Sequence, residues 1–227
     1  MNDMRIFVAA LLVVAMTASN AFATSQYPDK IIYEGKKYDL HTNPMESYFK
    51  EHPQKRPSGN GINTKLWRRY VATFEVINNS LVLNDIEIRA YDGENGSEWK
   101  SVKSDLVPKG QALKIDWFTG IMVLPYGKLV NYVHMGYGST YENYVLLEMK
   151  NGKLTGERKL NYKQYNQFKE KQFDTFKKTE KYRKLVAVPE KENLTQESID
   201  SLIKNFDADY TSKFLDKEES PNKATNK

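Results

Sequence analysis

The chain contains no cysteine. That absence removes disulfides, a thiol nucleophile, Cys-rich metal sites and a thiol-borne lipid anchor. Stability must then come from an apolar core, which 227 residues with 40% hydrophobic side chains can supply. Histidine is scarce too: His41, His52 and His134 are not spaced as a ligand set, so no metal is expected. After the N-terminal segment, no apolar run approaches the length of a membrane helix. The Gly-rich stretch Gly136-Tyr137-Gly138-Ser139-Thr140 lacks the Lys of a P-loop and the third Gly of a dinucleotide fingerprint, so no cofactor is expected.

What is present begins at the N-terminus. Arg5 precedes an apolar run over 6–18, too short to span a bilayer, and Ala21-Phe22-Ala23 offers small residues where a signal peptidase requires them. This predicts a signal peptide over 1–23, cleaved near Ala23, and a mature protein that is periplasmic or secreted. The formal net charge is +5, unevenly spread: between positions 150 and 184 twelve Lys and Arg stand against four Asp and Glu, and the balance turns acidic from 190 to 219. A basic segment beside an acidic one describes two solvated helices; with no nucleic-acid-reading module present, nucleic acid is not an expected partner.

Along the mature chain, short apolar-alternating runs joined by turns predict an α+β fold, a mainly antiparallel β-sheet of roughly six to nine strands with one or two C-terminal helices packed on it. A hairpin over 31–40 turns at Gly35, and Asn43-Pro44 opens a helical turn that plugs one end of the sheet through Met45, Tyr48 and Phe49. A long strand is expected from Trp67 to Ile77, with Tyr70, Ala72, Phe74 and Val76 in phase. In the next, Leu81 and Leu83 fall out of phase with Ile86 and Ile88, which calls for a bulge near Asn84-Asp85. Leu113, Ile115 and Trp117 form another alternating run. Ile121 to Leu124 reads as a strand covered on both faces, Pro125-Tyr126-Gly127 as a turn, and Asn151-Gly152 as the clearest hairpin signal.

From Asn161 the period lengthens to that of a helix. Tyr162, Tyr165, Phe173 and Phe176 share an arc expected to pack on the sheet. The domain reading is therefore a β domain over 24–188 that includes a basic helix over 161–186. An acidic helix over 189–216, capped by Asn193 or Thr195, and a disordered tail over 217–227 follow it.

Candidate site residues concentrate in one strand-loop-strand stretch: Tyr126, Asn131, Tyr132, His134, Tyr137, Tyr141, Glu142 and Tyr144. Tyrosines give large contact area with a polar tip, which suits a binding surface; cross-strand packing of a sheet uses them equally well. His134 and Glu142 are the weak catalytic candidates, lacking an evident nucleophile. Lys163, Lys169, Lys177, Lys178 and Lys181 form a basic face suited to an acidic protein partner.

The runs Leu66 to Val76 (LWRRYVATFEV), Leu83-Asn84-Asp85-Ile86, Trp117-Phe118-Thr119-Gly120, Gly127-Lys128-Leu129 and Tyr132 to Tyr137 (YVHMGY) resemble an uncharacterised family of exported bacterial proteins, over about residues 31–160. The resemblance implies no catalytic residues. By size and compartment it points loosely to immunity proteins that neutralise toxins. The expected function is thus an exported binding or inhibitor protein. The alternative is a cell-envelope glycan-binding module or hydrolase built on the Tyr/His cluster.

Overall fold

The computed structural model describes residues 25–58, 64–92, 96–108, 110–134, 136–187 and 194–206. The expected signal peptide, an Asn193 cap, the far part of the acidic helix and the tail lie outside them.

Among the described residues nine strands form one sheet: β1 (Asp29–Tyr33), β2 (Lys36–Leu40), β3 (Val71–Ile77), β4 (Ser80–Asp92), β5 (Gly96–Ser101), β6 (Leu113–Lys114), β7 (Gly120–Asn131), β8 (Thr140–Lys150) and β9 (Lys153–Asn161). Their order is β2-β1-β3-β4-β9-β8-β7, with β5 and β6 pairing on β4. Every pairing is antiparallel except that of β1 with β3. The fold is α+β with a mainly antiparallel sheet, as the alternating runs and short turns predict.

The two ends of that order meet. Just past β2, the His41 amide donates to the Val123 carbonyl of β7 at 2.9 Å. The Thr42 hydroxyl donates to Ile121 O at 3.2 Å and accepts from Val123 N at 3.1 Å. The sheet thereby rolls up around one core, filled by Ile31, Leu40, Ala72, Phe74, Leu83, Ile86, Met122, Leu124, Val145 and Leu147. Helix α1 (Met45–Glu51) closes one end with Met45 and Phe49 in that core. It begins one residue later than expected, with Pro44 as its cap; the Trp117 indole N–H donates to Pro44 O at 3.1 Å and holds it there.

Register follows the apolar phase. Thr73 pairs with Asp85 and Phe74 with Leu83, so Asn84 is the extra residue of the expected bulge, and both apolar phases of β4 reach the core. Ile121 to Leu124 are all buried, Met122 and Leu124 inside the roll, Ile121 and Val123 on its outer face. Asn151 (φ 47°) and Gly152 (φ 69°) make the β8–β9 turn. A Cβ on Gly152 would lie 2.2 Å from Ile115 O, so the position needs glycine for space as well as for backbone sign.

Three expectations are corrected. Pro125-Tyr126-Gly127 is no turn: β7 runs through it to Asn131, absorbing Gly127 (φ 83°) as an irregularity in its pairing with β8. The strand expected from Trp67 starts at Val71, since Thr64–Leu66 is a 3-10 turn and Arg69 takes φ 69°. The single basic helix over 161–186 is two helices, α2 (Tyr162–Phe176) and α3 (Glu180–Val186), because Thr179 turns extended and caps the second from its side chain. Asn161 and Gln164 form a capping box that starts α2 at the end of β9.

The aromatic stripe accordingly splits. Tyr165 and Phe168 pack on Ile121, Val123, Tyr144 and Leu146 of the outer sheet face. Phe173 and Phe176 pack instead against Ile199 and Ile203 of α4 (Gln196–Phe206). Thr195 caps α4, its hydroxyl accepting from Ser198 N at 3.2 Å.

Candidate functional site

Beyond the last β8–β9 pair, Asn143 with Asn161, the β7–β8 hairpin continues as an arm, and the candidate tyrosines fall into three environments along it. Tyr126, Leu129, Val130 and Tyr132 are exposed, Tyr132 by 57%. Tyr137 and Tyr141 are half-buried at the arm's root, with His41 stacked on Tyr137 (centroids 4.7 Å, 12°) and edge-on to Tyr141 (5.8 Å). Tyr144 is 1% exposed and stacked on Tyr165 at 3.7 Å, where burial pushes its hydroxyl up to about 12. Tyr144 is therefore a core residue that fastens α2 to the sheet.

His134 and Glu142 are engaged with different groups. The Tyr132 hydroxyl meets His134 Nδ1 at 2.6 Å in an exposed pair. Glu142 Oε2 accepts from Lys128 N at 2.9 Å, and a Cβ on Gly127 would come within 2.7 Å of the same oxygen. The carboxylate thus staples the irregularity in β7, a local backbone role. Asn131 ends β7, exposed.

The basic residues are distributed over α2 (Lys163, Lys169), the turn that follows it (Lys177, Lys178) and α3 (Lys181). Lys163 lies over Tyr162, Lys177 pairs with Asp174 at 3.2 Å, and Lys178 is exposed. Lys169 is half-buried over the Tyr165 ring at 5.8 Å, and the Lys181 side chain lies outside what is described.

The arm is held by a buried polar network. Arg68, 1% exposed, donates from Nη1 to Tyr137 OH at 2.5 Å, and from Nη2 to Tyr27 O at 2.8 Å and Asp29 Oδ1 at 3.2 Å. Asp29 Oδ1 also accepts from Ala72 N at 2.9 Å, and Tyr137 OH donates to Asn43 Oδ1 at 3.0 Å. On the far side Tyr70 donates to Glu46 at 2.7 Å, and Arg56 clamps the same carboxylate at 2.9 and 3.0 Å. Burial pushes the Asp29 carboxyl up to about 6 against the pull of Arg68. Burial also works against the Arg68 charge, but Asp29 and the Tyr137 and Tyr70 hydroxyls more than offset it. For Glu46, the hydrogen bonds from Arg56 and Tyr70 outweigh burial and hold the carboxyl below its usual range.

Sequence reasoning missed this network, yet a signal was present. Arg68 shares the parity of Tyr70, Ala72 and Phe74, so it is a charge on the apolar phase of its segment.

A second exposed group lies next to the arm. Trp67 is 59% exposed, its amide donating to Gln26 Oε1 at 3.4 Å. Tyr27 meets Trp99 edge-on at 5.8 Å, and the Arg89 guanidinium lies over Trp99 at 5.4 Å. Gln26 N donates to Gly136 O of the arm's loop at 3.3 Å, and Ser25 bridges to Gly136. Arg68 therefore bonds both segments from beneath, Tyr27 on the platform and Tyr137 on the arm.

Among the described residues no helix is long and apolar enough to cross a membrane, and no group of three or more His, Asp or Glu is arranged to hold a metal. Compared with known proteins, the chain matches no family model, no curated protein and no solved structure.

Proposed function

We propose that the protein is an exported binding protein that seats another protein on the Tyr27–Trp67–Trp99 platform and the adjoining arm, in the manner of an inhibitor or immunity protein. The observation that carries this reading is the distribution of exposed apolar side chains. Of the nine large exposed hydrophobics among the described residues, seven are Tyr27, Trp67, Trp99, Tyr126, Leu129, Val130 and Tyr132. Single exposed apolar residues are ordinary; their concentration on two segments tied together by one buried guanidinium is what a contact surface requires. Tryptophan, tyrosine and arginine are also the side chains that contribute most per residue to protein–protein affinity. Export is supported by the expected leader, and a partner of acidic character by the net charge of +5.

The test is alanine replacement on the exposed side. Trp67→Ala and Tyr132→Ala should each weaken the partner complex by more than about 1 kcal/mol while leaving the unfolding midpoint in place. Tyr137→Ala is the wrong probe despite its position, because that hydroxyl belongs to the buried network. Unchanged affinity in both exposed variants would remove the platform and arm from the contact.

A further inference from the structure

The Arg68–Asp29 pair is closed off from solvent and incompletely bonded. One hydrogen bond joins the two side chains, from Nη2 to Oδ1 at 3.2 Å. Among the described residues, the only buried side-chain polar atoms without a hydrogen-bond partner are the other two atoms of this meeting, Arg68 Nε and Asp29 Oδ2. Folded proteins leave few such atoms, because a buried donor or acceptor without a bond is costly. Two of them on one ion pair point to a single cause.

A side-on pair with two parallel bonds would satisfy both atoms, since Nε and Nη2 share one edge of the guanidinium. The neighbours hold the groups out of that arrangement. Arg68 Nη1 is bonded to the Tyr137 hydroxyl at 2.5 Å, and Nη2 is shared with the Tyr27 carbonyl at 2.8 Å. Asp29 Oδ1 is fixed from the other side by the Ala72 amide at 2.9 Å. Turning the guanidinium in its plane to bring Nε onto Oδ2 would draw its other nitrogens off Tyr137 and Tyr27. The Tyr70 ring lies 5.7 Å from the guanidinium carbon, and the Glu46 carboxylate is already engaged by Tyr70 and Arg56.

The two atoms have opposite needs: Nε–H requires an acceptor and Oδ2 a donor. A cation there would meet the guanidinium and an anion the carboxylate, each a like charge in a buried place. Protonating Oδ2 does not pair the two either, because its hydroxyl would face an N–H that accepts nothing. One small neutral group that accepts from the first and donates to the second serves both. We infer that Arg68 Nε and Asp29 Oδ2 bind one internal water, which accepts from Nε–H and donates to Oδ2. Internal waters commonly make about two to four bonds to buried polar groups that protein atoms leave unsatisfied. With this water every nitrogen of the Arg68 guanidinium is bonded, at the junction where it ties Tyr27 of the platform to Tyr137 of the arm. The water takes no part in the exposed contact surface and is independent of the partner seated there.

A crystal structure of the native protein that resolves ordered water tests this directly. One water is expected within about 3.2 Å of both Arg68 Nε and Asp29 Oδ2. In solution, 15N-edited NOE and ROE spectra of the native protein, read at the Arg68 Nε–H, should show a water cross-peak of opposite sign in the two experiments. That sign pattern marks a water held on the protein and separates it from proton exchange, which gives the same sign in both. A direct hydrogen bond from Nε to Oδ2, electron density in which no water touches both atoms, or a Nε–H without the opposite-signed cross-peak overturns the inference.

Discussion

Arg68→Met tests the network beneath the proposed surface, because methionine keeps the stem and removes the charge and all three hydrogen bonds. The loss is not confined to those bonds. Asp29, 0% exposed, is left as a buried carboxylate with only the Ala72 amide on it. Breaking a buried pair by removing one partner costs about 3–5 kcal/mol, and that is the deficit expected above neutral pH. The pH dependence then separates this cause from lost packing. Burial has already raised the Asp29 carboxyl to about 6, against about 3.9 in the unfolded chain, and removing the guanidinium raises it further. A carboxyl raised on folding contributes stability fully below its unfolded value and loses it as pH rises through the folded value. In the native protein that loss is complete near 6, while in the variant it continues to higher pH. The difference between the two should therefore shrink as the pH falls from about 8 to about 6. Urea unfolding at both pH values measures it, and Asp29→Asn added to the variant should flatten the dependence. A deficit under about 1 kcal/mol, or one that grows toward pH 6, would refute the argument.

Further outcomes follow from single positions. Gly152→Ala forces a Cβ to within 2.2 Å of Ile115 O at a positive φ, so thermal unfolding should show a loss of more than about 2 kcal/mol, where Gly35→Ala, with open space around it, shows only the backbone cost. Tyr165→Ala removes the ring stacked on Tyr144 and should cost about 3 kcal/mol in urea, with amide exchange rising along α2 before the sheet. His41, lowered to about 4, favours the neutral ring in the folded state; its contribution is present above the unfolded imidazole value and is lost as pH falls through about 4. Acid unfolding should accordingly shift to lower pH in His41→Gln, and an unshifted acid limb would contradict the burial assigned to the ring.

Local rules made much of the fold legible. Alternation located β3 and β4, the continuous apolar run Ile121 to Leu124 located the first part of β7, the phase slip at Asn84 located a bulge, and Asn151-Gly152 located a turn whose glycine has no room for a side chain. Where the chain departs from those rules, the reason is tertiary. Pro125 and Gly127 look like a turn, but Glu142 from the neighbouring strand staples the irregularity and lets β7 continue. The stripe on 162–176 reads as one face, yet the chain turns at 177–179, so its far half meets α4 rather than the sheet. β5 was missed because Trp99 and its neighbours carry charged residues and the strand lies on the outside of β4.

The candidate site was legible by residue type and illegible by role. Composition marks Tyr126 to Tyr144 as one aromatic stretch, but only the rolled sheet sorts it into an exposed arm, a buried root and a core stack. The segments that carry Trp67 and Tyr27, 40 residues apart in sequence, are joined because Arg68 donates to the Tyr27 carbonyl and the Tyr27 amide to Lys65 O, contacts no local pattern encodes. His41 looked like a loop residue, and its place against Tyr137 and Tyr141 depends on how the two ends of the sheet close.

The most direct test of the proposed function is affinity capture from a periplasmic and cell-surface extract. It compares the native protein with a Trp67→Ala, Leu129→Ser, Tyr132→Ala variant whose unfolding midpoint has been shown to be unchanged. The native protein should retain one protein in stoichiometric amount, and the variant should lose it. Equal retention by the two, or recovery of glycan in place of a protein, would contradict the proposed function.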